Sequence, residues 1–492
     1  MPSWLRPRIL VGLAAVAGIG FRVWTYRSAL GIPDSDEAVV GLMARHVLQG
    51  QFTTFFWGQW YGGSQEALLT APLFFVFGSS WLLLRLVPII LDGVAALVLW
   101  RVGRRTIGEP AATAAAAVFW VWPPFVIYKL THQWGFYASG VLYCALILLL
   151  ALRLVEQPSR TRAGLFGLVL GLGLWQSEQL VPIVLPVIAW TIWKRRRWLR
   201  HLWLTVPLAI LGALPSVVFN IRHDWASLSP PITDPSSYQH RLRVYVSPLL
   251  PMMLGLRTPF TQERLLPGIL TYLIYAILAG LFVYGAYRSR HEAVSMLYLA
   301  VATYPFIYAI SPQTFFEQEP RYLVVLSPLL VLLLVQLARN WLRVAVALAL
   351  ACAISFVTLQ RLDTYFRTVP SQPPIAPRDI SPLVATLDRL KINRVFATFW
   401  TTYRLDFDTR ERIIATQSKI LRLRWVNGRA IAVHNRWARW VPYEREVQAA
   451  PRSAFVLLRR ETHAHRPAMV RLEAWGYRRY VVGPYLVYAL PG

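Results

Sequence analysis

Residues 265–287, LLPGILTYLIYAILAGLFVYGAY, carry no charge and stop at Arg288 and Arg290. An uncharged helix of about 20 residues rises about 30 Å, the depth of the hydrocarbon layer of a bilayer. Further apolar runs lie near 9–23, 81–100, 111–130, 136–152, 163–176, 179–193, 202–219, 293–310, 322–338 and 342–358. The expectation is therefore an all-α polytopic membrane protein with about eleven transmembrane helices. Composition agrees. Of the 492 residues 56% are hydrophobic and 15% charged, where soluble domains hold roughly 25% charged residues. Mean hydropathy is +0.42, so a disordered chain and an ordinary soluble domain are both excluded.

The formal net charge is +27. In such a chain the excess belongs to Arg and Lys at cytoplasmic helix ends and to attraction for anionic membrane lipid, and nucleic acid is not expected as a partner. Cys144 and Cys352 both lie in apolar runs far apart, which suggests neither a disulfide framework nor a thiolate metal site. The first run, flanked by Arg6, Arg8, Arg22 and Arg27, lacks a small-residue cleavage site and reads as a retained helix.

Basic clusters orient the runs: Arg101/Arg104/Arg105, Arg153/Arg160/Arg162, Lys194 to Arg200, Arg288/Arg290 and Arg339/Arg343. All fall on the cytoplasmic side of the plasma membrane only if residues 65–78, which hold Glu66 and Pro72, form an interfacial or re-entrant helix instead of a crossing. Residues 29–80, 220–264, 311–320 and everything after about 360 then face outside. A Pro-rich linker, expected within 361–380 and including VPSQPPIAP at 369–377, separates a membrane domain (1–360) from a C-terminal one (381–492). In the latter, short β-like runs (395–399, 454–458, 480–482, 485–489) alternate with helical patterns such as 383–390, predicting a small α/β domain on the outer face.

The first outer loop is unlike the others, which are basic. It reads Asp34-Ser35-Asp36-Glu37, passes through the aromatic stretch FTTFFWGQWYGGS (52–64, with Trp57 and Tyr61), and reaches Glu66. Capping and dipole effects would place acids at a helix start. A carboxylate fixed there can also take a proton from an attacking hydroxyl. Asp34 and Asp36 could instead hold a hard divalent cation such as Mg or Mn. The aromatics suit stacking on sugar rings, or anchoring at the headgroup level. Two carboxylates stand inside or beside spans: Asp92, expected to pair with an Arg of a neighbouring helix, and Glu178, at an outward helix break where it could line a sugar or lipid cavity. Gly167 to Gly173 sits in an apolar span and fits close helix packing, not a dinucleotide loop.

The Asp36-Glu37 pair after the first helix, Glu66 on an interfacial helix, and Arg85 and Pro88 on the next span resemble the multi-spanning GT-C glycosyltransferases. Within that class the sequence is most like family 39, the protein O-mannosyltransferase and aminoarabinose transferase type. The likeness continues through Arg101-Val102-Gly103-Arg104-Arg105, Leu211-Gly212-Ala213-Leu214-Pro215 running into Asn220-Ile221-Arg222-His223, and Glu319-Pro320-Arg321-Tyr322. The resemblance implies a polyprenyl-phosphate sugar donor and inverting transfer to an acceptor (lipid, polysaccharide or protein) on the outer face. By that likeness Asp36 matches the catalytic Asp, with Glu37 beside it and Glu66 as a second acid. Some relatives follow this Glu with Lys-Pro, whereas Ala67-Leu68 stands here.

A leaving lipid phosphate calls for cations, and arginine's fork suits phosphate. Candidates are Arg321, favoured for its place at a helix start, with Arg222, His223, Arg257 and Lys129; an interfacial pairing of Arg321 with Glu319 and a helix-end anchor at Lys129 are the plainer readings. Asp34, Trp57, Tyr61, His132, Glu178 and Tyr322 are candidates for sugar or acceptor contacts. A transporter or flippase of polyprenyl-linked glycans and a non-catalytic envelope-assembly subunit are the competing readings.

Overall fold

The computed structural model describes residues 5–196, 203–228, 235–314, 316–368, 376–417, 422–433 and 438–491. The distal half of the basic cluster Lys194 to Arg200 and most of the Pro-rich stretch 369–377 lie outside them.

Apolar sequence becomes helix, and proline or glycine marks many of the breaks between helices. The membrane part opens with α1 (Leu5–Arg27), α2 (Ser35–Leu48), α3 (Gln65–Phe77) and α4 (Trp81–Thr106). It continues with α5 (Ala111–Val121), α6 (Pro124–Leu130), α7 (Tyr137–Glu156), α8 (Arg160–Gln176) and α9 (Val181–Lys194). Next come α10 (Thr205–Gly212), α11 (Leu214–Arg222), α12 (Tyr238–Val244), α13 (Leu250–Met253), α14 (Gly268–Arg288), α15 (Ser295–Ile310), α16 (Ser327–Val335) and α17 (Trp341–Thr368).

Five of these, α1, α4, α7, α14 and α17, are long and apolar enough to cross a membrane unaided; counting the bent pairs α5/α6 and α10/α11 as one span each gives seven. The expected figure of about eleven needs the shorter apolar helices as well, and most of these are cut by an identifiable residue. The 111–130 run bends by 60° where Pro123 and Pro124 follow Trp122, and the 202–219 run by 69° around Ala213, before Pro215. A 3₁₀ turn, Glu178–Leu180, separates α8 from α9, and another, Arg321–Leu326, precedes α16. Helix α3 has 13 residues, at about 1.5 Å each too short to cross a bilayer by itself.

Packing follows the small residues. A Cβ at Gly171 would stand 1.9 Å from the Ala209 carbonyl oxygen and one at Gly167 2.1 Å from that of Thr205, so α8 and α10 meet backbone to backbone. Asp92 of α4 pairs with Arg22 of α1, as the sequence suggested; both are buried. Arg22 also donates to the carbonyls of Gly18 and Trp120. Cys144 and Cys352 are free thiols.

Helix α17 corrects the expected boundary at 361. It runs unbroken to Thr368, because no Pro or Gly intervenes and its last turns gain the Asp363–Arg367 pair at 2.9 Å. Asp363 also accepts from the Ala29 amide, tying the helix end to the segment that follows α1.

The C-terminal domain carries α18 (Ser381–Arg389), β1 (Arg394–Ala397), α19 (Phe399–Asp408), β2 (Ile414–Gln417), β3 (Leu423–Val426) and β4 (Arg429–Ala432). Then follow α20 (Val441–Ala449), β5 (Ala454–Leu458), α21 (Thr462–Ala474), β6 (Arg478–Val482) and β7 (Tyr485–Ala489). Five strands form one sheet in the order β2-β1-β5-β7-β6, parallel for β2, β1 and β5 and antiparallel at β7 and β6. β3 and β4 form a separate antiparallel pair. One face of the sheet joins a core shared with the acidic loop and α2 to α4, where Phe407 meets Phe74 and Trp81. The C-terminal domain is thus seated directly on the acidic loop.

Candidate active site

Helix α2 begins as the capping reading expects. Asp34 is the N-cap, its Oδ1 accepting from the Glu37 amide at 2.9 Å, and Asp36 and Glu37 occupy the first turn. Adjacent helical positions point in different directions, and that separates the roles of Asp36 and Glu37. Asp34 and Asp36 line a cavity of about 640 Å³ between the acidic loop, the apolar helices and the C-terminal domain. Glu37 turns away from it and is fully buried. There it receives Arg85 Nε at 2.8 Å, Arg85 Nη2, and the Gln133 amide at 2.9 Å. Burial pushes its carboxyl up, but the charges of Arg85 and His132 and the hydrogen bonds outweigh it, holding Glu37 below the usual carboxylate range.

The cavity also receives Tyr61, Lys129, Glu178, Arg321 and Tyr322 from the sequence candidates. Lys129, at the end of the bent α5/α6 pair, is not a lipid-facing anchor. It is buried, with its ammonium 3.8 Å from the Trp134 ring centroid and 4.5 Å from that of Tyr137. Arg321 pairs with Glu319 and lies 3.5 Å over the Phe316 ring, so the plainer pairing and an approach to the cavity hold together. Glu178, at the break between α8 and α9, is pushed up by burial to about 7. Asp34 is also raised to about 7, by burial first and then by the charges of Glu37 and Asp36. Its Oδ2 accepts from Trp134 Nε1 at 2.8 Å.

The remaining candidates stand elsewhere. Glu66 is buried beneath the site and accepts from the Ser139 amide at 2.9 Å and hydroxyl at 2.6 Å, fastening α3 to the start of α7. Burial raises it to about 7. Its place beside Ser139 makes it a structural tie, so Glu66→Ala should destabilise the fold by about 1–3 kcal/mol by leaving two buried donors unmet. Glu66→Gln, whose carbonyl keeps both bonds, should melt near wild type; thermal unfolding in detergent checks this. Trp57 stacks on Trp440 of the outer domain, centroids 4.3 Å apart. His132 lies between the carbonyls of Tyr128 and Leu30, each at 2.9 Å, and stacks on Trp134. Arg222 and His223 are exposed at the end of α11, His223 stacked on Phe219. Arg257 donates to the Gln262 carbonyl at 2.7 Å and does not line the cavity.

A metal fits this site poorly. Among the described residues no group of three or more His, Cys, Asp or Glu side chains converges. Both Asp34 oxygens accept hydrogen bonds, and Asp36 faces Arg439. Among the described residues the oxygen cage that Mg or Mn requires is not assembled.

Sequence reasoning missed Trp134, Tyr137, Trp400 and Arg439, which border the cavity or its acids. The first two follow Lys129 closely in sequence, and an aromatic pair beside a lone cation was a usable signal. Nothing local marked the outer-domain residues; only its richness in Arg and Trp was visible.

Residues 67–220 match the family model described as dolichyl-phosphate-mannose-protein mannosyltransferase. No curated protein matches the chain in sequence. The fold is similar over nearly the whole chain to ArnT from Cupriavidus metallidurans. Against the crystal structure bound to undecaprenyl phosphate the TM-score is 0.67, at 14% identity, covering 99% of this chain and 98% of that one. Against the apo form it is 0.66 at 14% identity, with 99% and 97% covered. The oligosaccharyltransferase of Archaeoglobus fulgidus, in complex with zinc and sulfate, gives 0.52 at 14% identity, with 98% and 74% covered.

Proposed function

We propose, for a multi-pass membrane protein that has the GT-C fold and is similar to the family 39 glycosyltransferases, that the chain transfers a sugar from a polyprenyl-phosphate carrier to an acceptor hydroxyl on the outer face of the cytoplasmic membrane, with inversion. The observation that carries this reading is one cavity in which a carboxylate at a helix start, Asp36, shares the walls with Lys129 and Arg321.

The chemistry needs both. An acceptor oxygen attacks the anomeric carbon, forming the new glycosidic bond as the carbon–oxygen bond to phosphate breaks. The acceptor proton passes to the Asp36 carboxylate, and the bonding pair leaves with the phosphate. Lys129 and Arg321 are the cations for that growing negative charge, in a partly dry cavity where charge acts more strongly than in water. Tyr61, Tyr137 and Trp134 supply flat faces for the sugar ring. The similarity to an ArnT bound to undecaprenyl phosphate supports a polyprenyl phosphate as the lipid partner.

Purified protein in detergent, supplied with radiolabelled polyprenyl-phosphate hexose or pentose and membrane extract, should move label to an extractable acceptor. Label that crosses reconstituted vesicles while still on its lipid would favour a flippase, and neither movement would leave an assembly subunit. Replacing Lys129 by Met or Arg321 by Lys should raise the donor KM by about tenfold or more, the effect of losing roughly 1.4 kcal/mol of charge-assisted binding. An unchanged donor KM in both variants would place the phosphate elsewhere.

A further inference from the structure

Among the described residues one charged side chain of the C-terminal domain reaches Asp36 itself. Arg439, just ahead of α20, brings Nη2 to 3.2 Å from Asp36 Oδ1. Gln59 of the first outer loop, with its amide oxygen turned inward, accepts from Arg439 Nη1 at 2.6 Å. The rings of Phe56 and Phe399 each lie 5.3 Å from the guanidinium carbon. The backbone is held as firmly. The Arg439 amide donates to the Tyr403 hydroxyl, and its neighbour Trp440 stacks on Trp57. Gly58, at φ +66°, lets the two segments approach so closely that a Cβ there would stand 2.7 Å from Arg439 Cα. The Arg439 side chain is only 17% exposed, so packing fixes its direction.

We propose that Arg439 is a positioning residue for Asp36: the outer domain supplies a cation that holds one carboxylate oxygen and leaves the other to take the acceptor proton. This deepens the transferase reading and rests on it. Asp34, Asp36 and Glu37 crowd three acids into one helix start, and Arg85 compensates Glu37 alone. Among the described residues Asp36 has its ion pair with Arg439. A lone carboxylate on a first helical turn samples several rotamers. A guanidinium anchored on Gln59 selects one, because its fork engages both partners in fixed geometry. The outer domain is therefore part of the active site: without its seat on the first outer loop the base would be present but unaimed.

The test compares full-length wild type, Asp36→Asn, Arg439→Gln, Arg439→Lys and the Asp36→Asn/Arg439→Gln double variant, each confirmed folded by its melting curve. Arg439→Gln should lower kcat by about 10- to 100-fold, the scale of a base displaced by about 1 Å, with donor KM unchanged. Arg439→Lys, which keeps the charge but loses the fork, should recover only part of that loss. Added to Asp36→Asn, the Gln change should cost less than about twofold more, since both act through one carboxylate. Wild-type turnover in Arg439→Gln, a loss confined to donor KM, or full additivity overturns the proposal. Should Arg439→Gln not fold, Gln59→Leu decides: a lower kcat at unchanged donor KM supports it, and wild-type kcat overturns it. A wild type that transfers nothing defeats the transferase reading and this inference together. An active wild type and an inactive Asp36→Asn beside a fully active Arg439→Gln defeats this inference alone.

Discussion

Asp36→Asn should cut transfer by about 10²- to 10⁴-fold, the usual contribution of a general base, while leaving the protein folded. Asparagine is nearly the same size and keeps an oxygen toward Arg439, so the structural change is confined to an ion pair that is partly exposed on the Asp36 side. Such pairs contribute about 0–1 kcal/mol. Initial rates with labelled donor, set beside melting temperature, separate chemistry from folding. A variant that turns over at half the wild-type rate would remove Asp36 from the reaction. The neighbouring Asp34 should behave differently. Burial raises it to about 7, and both of its oxygens already accept hydrogen bonds, from the Glu37 amide and Trp134, so an acceptor hydroxyl would have to compete for them.

Arg85→Met should cause the largest loss of stability, about 3–5 kcal/mol, because it leaves Glu37 charged, buried and short of its main partner. Removing both charges, with Glu37→Gln added, should restore much of it, since a buried pair contributes little net stability once its desolvation is counted. Melting temperatures of the two single variants and the double variant form the cycle that tests this. A double variant no more stable than Arg85→Met would show that Gln133 and the surrounding packing, not charge, set the cost. The pH dependence has a definite sign. Glu37 is held below the usual carboxylate value of about 4.3. Its stabilisation is therefore present above that value and lost as acidification passes through the lowered one. Glu37→Gln should flatten the acid side of the melting profile.

These two results would divide a pair of adjacent acids that the sequence could not divide. Asp36-Glu37 reads as one acidic unit in the chain, and the family resemblance placed both in the reaction. Successive positions on a helix differ by about 100°, so one acid faces the cavity and the other faces α4. The direction depended on where Arg85 came to lie, 48 residues later. Glu66 shows the same limit: an acid after an aromatic stretch looked like a second catalytic group, and packing gave it to Ser139.

The sequence by itself determined the membrane class, the acidic helix start at 34–37, a short helix at 65–77, the Asp92–Arg22 pairing in kind and the strands around 395, 455, 480 and 487. These rest on local periodicity, on runs without charge and on the cost of a lone ion in hydrocarbon, all of which a linear reading contains. Only the tertiary structure decided where the apolar runs bend, which carboxylate enters the cavity, and that Lys129 joins it from behind two aromatic rings. It alone brought Arg439 to Asp36, 403 positions apart in the chain. The reason is that burial and charge pairing at a site are set by surfaces from distant segments meeting, and no window of sequence holds both sides of such a contact.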